Sequence, residues 1–206
     1  QALGKYERNE HRQAKWAARR TLLDLAFDVP FIAYFHASDF MFYIVKDQIV
    51  NKRYYFGLVG GDNYAPKPAF YAYQSLCTLF AGKAARAGDF EVKFPATAPG
   101  EAPDDDAPRG YAFKTEGGPV FAYWQPHDMM RTFQPRTLAI EIQGRQEHGL
   151  KNPVLLDPIT QKIYSLGKAE SLPGGGCRFS SMPLADWPLL IADREVLPAN
   201  TSSSTF

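Results

Sequence analysis

A helix start flanked by two prolines constrains this chain more than any other feature. An apolar run over residues 56–59 stops at a glycine pair, and Pro66-Lys67-Pro68 follows after a polar turn. Proline is tolerated in a first helical turn because its missing N–H would have no intrahelical partner there. Large apolar side chains then recur at helical spacing: Phe70, Tyr73, Leu76, Cys77 and Phe80. With Gly82 as a left-handed end residue, the pattern predicts an amphipathic helix over residues 67–81.

The residues before this segment predict another helix and a buried strand. Asn9 is a residue type that caps helices, and an apolar stripe over residues 10–27 consists of Ala14, Ala18, Leu22 and Leu25. Val29-Pro30 ends that helix. Residues 31–36 (FIAYFH) are nearly continuously apolar, which is typical of a strand buried on both faces. The succession helix, strand, irregular segment, strand-like run over 54–59, helix is typical of the end of an α/β barrel, although a whole barrel needs about 250 residues.

From about residue 87 the pattern changes to short strands separated by turns. Residues 98–110 (APGEAPDDDAPRG) are acidic and proline-rich and predict a solvated loop. The strand candidates are residues 89–94, 111–114, 119–125, 137–143, 153–157, 162–166, 178–180 and 187–192. Such spacing favours an antiparallel β-sandwich. We therefore expect a C-terminal barrel portion over 1–84, a sandwich over 87–198 and a flexible, Ser/Thr-rich tail over 199–206.

Short sequence motifs in both halves of the chain resemble those of one protein family. Residues 57–73 (GLVGGDNYAPKPAFYAY) resemble the closing segment of the (β/α)8 barrel in clan A glycoside hydrolases, especially the family 39-like group. Three later phrases resemble the accessory sandwich that comes after such barrels: residues 118–124 (GPVFAYW), 154–161 (VLLDPITQ) and 182–191 (MPLADWPLLI). Gln161 and Met182 depart from the glycine and leucine of that pattern. The resemblance implies an α/β plus all-β fold, with terminal elements of a (β/α)8 barrel followed by an antiparallel β-sandwich.

The resemblance also implies a reaction. Such enzymes cleave O-glycosidic bonds in poly- or oligosaccharides with retention, using two carboxyl groups about 5 Å apart. The family carries them after barrel strands four and seven, whereas this chain resembles only the part of the barrel beyond strand seven. Glu7 and Glu10 stand at a helix start with no apolar strand before them, so we expect solvated acids favoured by the helix dipole. We assign no catalytic residue in this chain and expect it to be inactive alone. Its expected partners are a carbohydrate and the missing N-terminal barrel portion.

Tyr34, His36 and Asp39 are the substrate-binding residues that the resemblance implies. Active sites of barrels lie at the carboxyl ends of strands, and these residues stand at the end of the predicted strand. Tyr34 falls near the position where the family has an aromatic residue that stacks on the sugar. His36 shares its face because side chains alternate along a strand, and Asp39 matches an acidic residue of the family. The open alternative is that Tyr34 is barrel packing and His36 a hydrogen-bonded loop residue.

Composition and spacing argue against several other classes. Twenty-three basic and 22 acidic side chains provide no charge excess for nucleic acid or an anionic membrane. No run approaches the roughly 20 apolar residues of a spanning helix. The four histidines lack metal-ligand spacing, and Cys77 and Cys177 are expected to be buried thiols, so we predict no metal or cofactor.

Location and completeness stay open at this level. The polar N-terminus has no signal-peptide features, while an extracellular or periplasmic location would suit a polysaccharide hydrolase. The chain begins without Met, so we expect a fragment or a processed chain. The alternative function is a non-catalytic carbohydrate-binding or scaffold module, in which the sandwich is the working part. Exposed, coplanar aromatic rings on one sandwich face would favour that alternative.

Overall fold

A computed structural model describes residues 9–50, 54–95, 107–144, 150–197 and 203–204. These residues form two helices, α1 (Glu10–Ala26) and α2 (Pro68–Leu79), and a 3₁₀ turn at Arg194–Val196. The strands are β1 Tyr43–Val45, β2 Gln48–Val50, β3 Ala85–Arg86, β4 Phe90–Lys93, β5 Arg109–Thr115, β6 Gly118–Trp124, β7 Arg136–Gly144, β8 Pro153–Asp157, β9 Lys162–Ser165, β10 Glu170–Ser171, β11 Cys177–Leu184, β12 Leu189–Asp193 and β13 Ser203–Ser204. Glu7, most of the predicted loop over 98–110 and most of the predicted tail lie outside the described residues.

Helix α1 begins at the cap that the sequence predicts. The Asn9 side-chain oxygen accepts a hydrogen bond from the Arg12 N–H at 2.9 Å, which satisfies one of the unpaired donors of the first turn. Ala14, Ala18 and Leu22 of the predicted stripe are fully buried. The predicted helix over residues 10–27 is confirmed to within one residue.

Helix α2 is also confirmed, but its buried face differs from the prediction. The helix starts at Pro68, with Lys67 in the extended N-cap position. The buried residues are Ala69, Ala72, Leu76 and Leu79, and Cys77 is exposed while Cys177 is buried. Small alanines on α1 and α2 let the two helices pack closely. The face is therefore set by this contact rather than by the largest apolar side chains, and the expectation of a buried Cys77 is wrong.

The predicted strand over residues 31–36 is wrong: no strand is assigned there. Burial does alternate from residue to residue between positions 31 and 38, as it does along an extended chain. Backbone pairing begins only at the end of the segment, where Val59 donates to Ala37 at 3.0 Å and Asp39 donates to Val59 at 3.1 Å. The strand-like run over residues 54–59 likewise contains only isolated bridges. A barrel portion is therefore not observed, because a strand requires a paired neighbour.

A short hairpin occupies the segment that the sequence left irregular. Strands β1 and β2 pair antiparallel around Lys46 and Asp47, and both turn residues have positive φ angles of 49° and 60°. Positive φ at both central residues is the conformation of the type I′ turn, which joins the two strands of a hairpin through a two-residue loop. Ile44 and Ile49 are exposed on the hairpin.

The strand-rich half forms two larger sheets. One has the order β10-β11-β7-β4, and the other has the order β13-β9-β8-β12-β6-β5-β3. All of these neighbours are antiparallel except β13 and β9, which are parallel. Each strand candidate between residues 89 and 192 overlaps an observed strand. The prediction of a region of short antiparallel strands is thus confirmed.

The larger sheet is buried on both faces. In β6, Val120, Ala122 and Trp124 belong to the core that also contains α1 and α2. The alternate residues Phe121 and Tyr123 belong to the core shared with the four-stranded sheet. Because side chains alternate along a strand, β6 contributes to two cores at once. The helices therefore cover the outer face of the larger sheet and form a third layer.

Polar contacts also hold α1 against the sandwich. Lys15 forms a 2.7 Å ion pair with the buried Asp186. The Arg19 guanidinium donates to the backbone oxygens of Asp186, His127 and Gln125 at 2.6, 2.9 and 3.2 Å. These cations lie outside the apolar stripe of α1, so one side of the helix packs by small side chains and another by hydrogen bonds.

Candidate functional site

Tyr34 lies between the two helices. Its phenol oxygen accepts a hydrogen bond from Gln13 Nε2 at 2.9 Å, and its ring centroid is 5.7 Å from that of Tyr73. Gln13 Nε2 also donates to the Gly57 backbone oxygen at 2.9 Å. Burial raises the pKa of Tyr34 above its ordinary value; the hydrogen bond from Gln13 opposes this rise, and the charge of Asp39 adds to it. The phenol is therefore neutral at pH 7, and Gln13 links it to the backbone of the next segment.

His36 lies in an aromatic cluster formed by Phe35, His36, Phe40, Tyr54 and Phe56. Its ring centroid is 4.3 Å from both Phe35 and Phe40, with both contacts edge-to-face. Phe56 approaches Phe40 at 5.5 Å. Edge-to-face contacts of this kind stabilise aromatic pairs beyond simple area burial. Phe35 is 58% exposed, so the cluster presents one apolar ring to the surroundings.

Asp39 is one half of a buried ion pair. Its Oδ1 accepts from Lys67 Nζ at 2.9 Å and from the Gly57 N–H at 2.8 Å. Asp39 is 5% exposed and Lys67 is 3% exposed. A Cβ at Gly57 would lie 2.1 Å from the backbone carbon of Ser38, so only glycine allows this close crossing. The carboxylate thus joins the end of the 31–39 segment to the N-cap of α2.

The three predicted residues therefore have different surroundings. No hydrogen bond joins Tyr34, His36 and Asp39 to one another in the part of the chain that the structure describes. Asp39 is near enough to Tyr34 for its charge to act on the phenol. Their role in binding a substrate stays a prediction.

A groove of about 500 Å³ runs between α1 and residues 29–35. We call it the α1 groove. Its mostly apolar lining includes Trp16, Arg20, Asp24, Phe31, Tyr34 and Phe35. Arg20 and Asp24 form a 2.7 Å ion pair on the helix side. Among the predicted site residues, Tyr34 lines this groove, and His36 and Asp39 do not.

The buried carboxylates in the described ranges all have partners. Besides Asp39 and the Arg20-bound Asp24, Asp186 pairs with Lys15. Asp157 accepts from Trp187 Nε1 at 3.1 Å, and Asp193 accepts from the Lys151 and Asn152 N–H groups at 2.6 and 2.8 Å. Among the described residues, no three His, Cys, Asp or Glu side chains are grouped to hold a metal ion. The arrangement thus orders segments and lines a groove, without a free acid pair.

Sequence reasoning missed the two polar residues that support this region, Gln13 and Lys67. Gln13 stands beside Ala14 of the apolar stripe and is buried. A polar residue on the buried side of a helix indicates a hydrogen-bonding partner. Lys67 stands between two prolines at a helix N-cap, where a cation is unfavourable unless an anion is near. Both signals exist in the sequence, but neither identifies the partner.

No protein-family model, curated protein or solved structure matches the chain. No helix in the described ranges is long and apolar enough to cross a membrane.

Proposed function

We propose that this chain is the C-terminal part of a retaining glycoside hydrolase that cleaves O-glycosidic bonds in poly- or oligosaccharides. The catalytic carboxyl pair is supplied from outside these residues. The observation that carries the proposal is the combination of an uncovered apolar groove beside Tyr34 with buried carboxylates that are already engaged. Such a region suits substrate positioning rather than proton transfer or nucleophilic attack. The family phrases in both halves, in their expected order, add support.

The proposed contribution to sugar binding differs among the three residues. Tyr34 offers an aromatic ring and a neutral phenol at the groove, and apolar rings beside hydrogen-bonding groups suit carbohydrate recognition. His36 offers an imidazole supported by the aromatic cluster. Asp39 acts with Lys67, because its Oδ1 is occupied by two donors. In the proposed enzyme, this ion pair holds the segment that carries Tyr34 and His36.

The non-catalytic carbohydrate-binding module has less support. That function needs exposed rings on a sandwich face, since stacking on sugar requires an accessible aromatic surface. Among the described sandwich residues, no aromatic side chain is largely exposed to solvent, and Phe113, Phe121 and Tyr123 are fully buried. The sandwich therefore suits an accessory role beside the α/β portion.

The test is a panel of chromogenic aryl glycosides and polysaccharides. We expect no hydrolysis by the isolated 206-residue chain, because binding a ground state without the two carboxyl groups lowers no barrier. The protein completed by the missing barrel portion should hydrolyse at least one substrate of the panel. Hydrolysis by the isolated chain that is lost on changing one of its carboxylates would overturn the proposal.

Tyr34→Ala tests the binding role in the completed protein. We expect kcat/KM to fall by roughly 10- to 100-fold, because misplacement of a substrate by about 1 Å has effects of this size. Tyr71→Ala is the matched control, since Tyr71 is a partly exposed tyrosine on α2 that does not line the α1 groove. Equal losses in both variants would argue against a specific role of Tyr34.

A further inference from the structure

A second pocket, of about 240 Å³, lies where the first turns of α1 meet two loops of the sandwich. We call it the cationic pocket. The two loops are those between β6 and β7 and between β11 and β12. The charged residues of its lining are Arg12, Lys15, Arg131 and Asp186. Because cations outnumber the single carboxylate, the lining favours a negatively charged group.

The carboxylate of this pocket is already engaged. Asp186 is 1% exposed, and its Oδ1 lies 2.7 Å from Lys15 Nζ. Its Oδ2 lies 3.8 Å from the Arg19 guanidinium. Asp186 therefore balances Lys15 and leaves the two other cations of the lining. Of these, Arg131 has only an exposed pair with Asp128 at 3.6 Å, and such surface pairs contribute little.

Arg12 is the cation that most needs an anion. Its side chain is partly buried, and it makes no ion pair within the described part of the chain. It stands in the first turn of α1, where the helix dipole disfavours a positive charge. Glu10 of the same turn does not offset it, because residues two apart on a helix do not face each other. An anion in the pocket would satisfy this guanidinium.

The rest of the lining is largely apolar. Trp187 and Phe133 both line the pocket. Trp187 Nε1 donates to Asp157 Oδ1 at 3.1 Å, so the indole N–H is occupied and the ring is held in place. The volume is below the about 300–1,000 Å³ of pockets that enclose a drug-sized ligand, so the pocket suits one ring rather than a chain of rings. Apolar ring surface beside hydrogen-bonding cations suits a sugar ring that also carries a charge.

We propose that the cationic pocket binds a sugar ring that carries a carboxylate, as a uronic acid does. Arg12 donates hydrogen bonds to the carboxylate, and Lys15 and Arg131 add positive charge. Trp187 contacts the C–H groups of the ring. The need for an anion follows from the charges of the lining, and only the choice of a sugar rests on the proposed function. The pocket shares no lining residue with the α1 groove, so it is a separate site.

His11 supplies a spectroscopic probe inside the pocket. Burial and the charge of Lys15 lower its pKa below the ordinary 6.5, against the opposing charges of Asp186 and Asp157. A carboxylate bound beside the imidazole should raise that pKa. The experiment is a proton NMR titration of His11 in the 206-residue chain, with D-glucuronate, D-glucose or acetate added. We expect glucuronate to raise the pKa of His11 and glucose to leave it unchanged. Acetate, which lacks the ring, should bind at least about 10-fold more weakly than glucuronate.

Two arginine variants locate the site. Arg12→Gln should raise the Kd for glucuronate at least about 10-fold, because a charge-assisted hydrogen bond is lost. Arg86→Gln removes the same charge from an exposed position in β3, outside the pocket, and should leave the Kd unchanged. Circular dichroism should show the same helix content in both variants. Raising NaCl from about 0.05 to 0.5 M should weaken binding to the unchanged chain.

Four results would overturn the proposal. They are no binding of glucuronate, equal binding of glucose, equal binding of acetate, and equal affinities of Arg12→Gln and Arg86→Gln for glucuronate. The proposed function is judged separately, by hydrolysis in the completed protein. Glucuronate binding without hydrolysis of any glycoside would support this inference and overturn the proposed function. Hydrolysis without glucuronate binding would do the reverse.

Discussion

The helical region (residues 9–80) and the sandwich (residues 85–197) treat their large apolar side chains differently. In the described part of the sandwich, Met130 is the one large hydrophobic residue that is largely exposed, at 45%. The helical region exposes many more: Trp16, Phe27, Val29, Phe31, Phe35, Phe42, Ile44, Val45, Ile49, Tyr55, Tyr64 and Tyr71. Both regions are rich in large apolar residues, so they differ in how many of these side chains the described fold buries.

The contrast has a structural origin. The sandwich supplies both layers of its inner core from its own strands, and the larger sheet gains a third layer from α1 and α2. In the helical region the alanine-rich sides of α1 and α2 are buried, while Phe31 and Phe35 are 80% and 58% exposed. Contiguous exposed apolar surface on a soluble protein marks an interaction site. The comparison teaches that the sandwich buries nearly all of its large apolar side chains, whereas the helical region leaves many of them exposed.

The largest expected effect comes from the doubly buried sheet. Trp124 is almost fully buried and stacks on Tyr111 with ring centroids 5.3 Å apart. Trp124→Ala should lower the free energy of unfolding by about 3–5 kcal/mol, measured by urea denaturation, because the cavity lies where the chain is covered on both sides. Trp16→Ala, which removes a 38% exposed ring, is the control. Similar losses in the two variants would break the contrast between the regions.

The buried ion pair is the next test, and it lies within the helical region. Lys67→Met should lower the free energy of unfolding by about 3 kcal/mol, because it leaves Asp39 as an uncompensated buried charge. The double variant Asp39→Leu/Lys67→Met should recover most of that loss. Arg131→Met is the control: its exposed ion pair with Asp128 should contribute about 0–1 kcal/mol. If Lys67→Met left the free energy of unfolding unchanged, the Asp39–Lys67 ion pair would not be stabilising this part of the helical region.

The pH dependence of stability should be carried in part by Asp193 of the sandwich. Burial by itself would raise the pKa of Asp193, but hydrogen bonds from the Asn152, Lys151 and Glu195 N–H groups lower it below its ordinary value of 3.8. A depressed folded-state pKa means that the stabilisation is complete above about pH 4 and is lost as the pH falls through the folded-state pKa.

Asp193→Asn should therefore make the acid-side fall in unfolding free energy shallower, as measured by urea denaturation between about pH 2 and 6. Asp128→Asn is the control, because the Asp128 side chain is about half exposed. An unchanged slope in Asp193→Asn would remove Asp193 from the acid response.

The smallest expected change in the free energy of unfolding is at Phe31. Phe31→Ala in the isolated chain should change the free energy of unfolding by no more than about 0.5 kcal/mol, because an 80% exposed side chain loses little burial. Phe113→Ala, which removes the same ring from a fully buried site, should cost about 3–5 kcal/mol. Denaturation of the two variants side by side measures the difference between the regions directly. A large loss of unfolding free energy in Phe31→Ala would mean that the Phe31 side chain is buried in the isolated chain.

The sequence by itself determined the elements whose signals are local. Caps, proline positions and apolar periodicity act within a few residues, so α1, α2 and most of the short strands after residue 87 are predicted from the sequence. Strand β10 was missed, and β11 (Cys177–Leu184) is longer than the predicted 178–180. It also pointed to Tyr34, His36 and Asp39, but through resemblance rather than through any local rule. The hairpin β1–β2 was not predicted, because Lys46-Asp47 is not the Asn-Gly or Asp-Gly pair that usually indicates such a turn.

Only the tertiary structure decided which surfaces meet. Residues 31–36 have a strand-like sequence, yet without a paired neighbour along residues 31–35 no strand forms there. The alanine face of α2 was selected by α1, and the partners of Gln13 and Lys67 come from segments 21 and 28 residues away. Hydrogen bonds and ion pairs of this kind depend on distances between atoms of separate elements. A pattern along one segment records the need for a partner, whereas the fold determines which residue meets it.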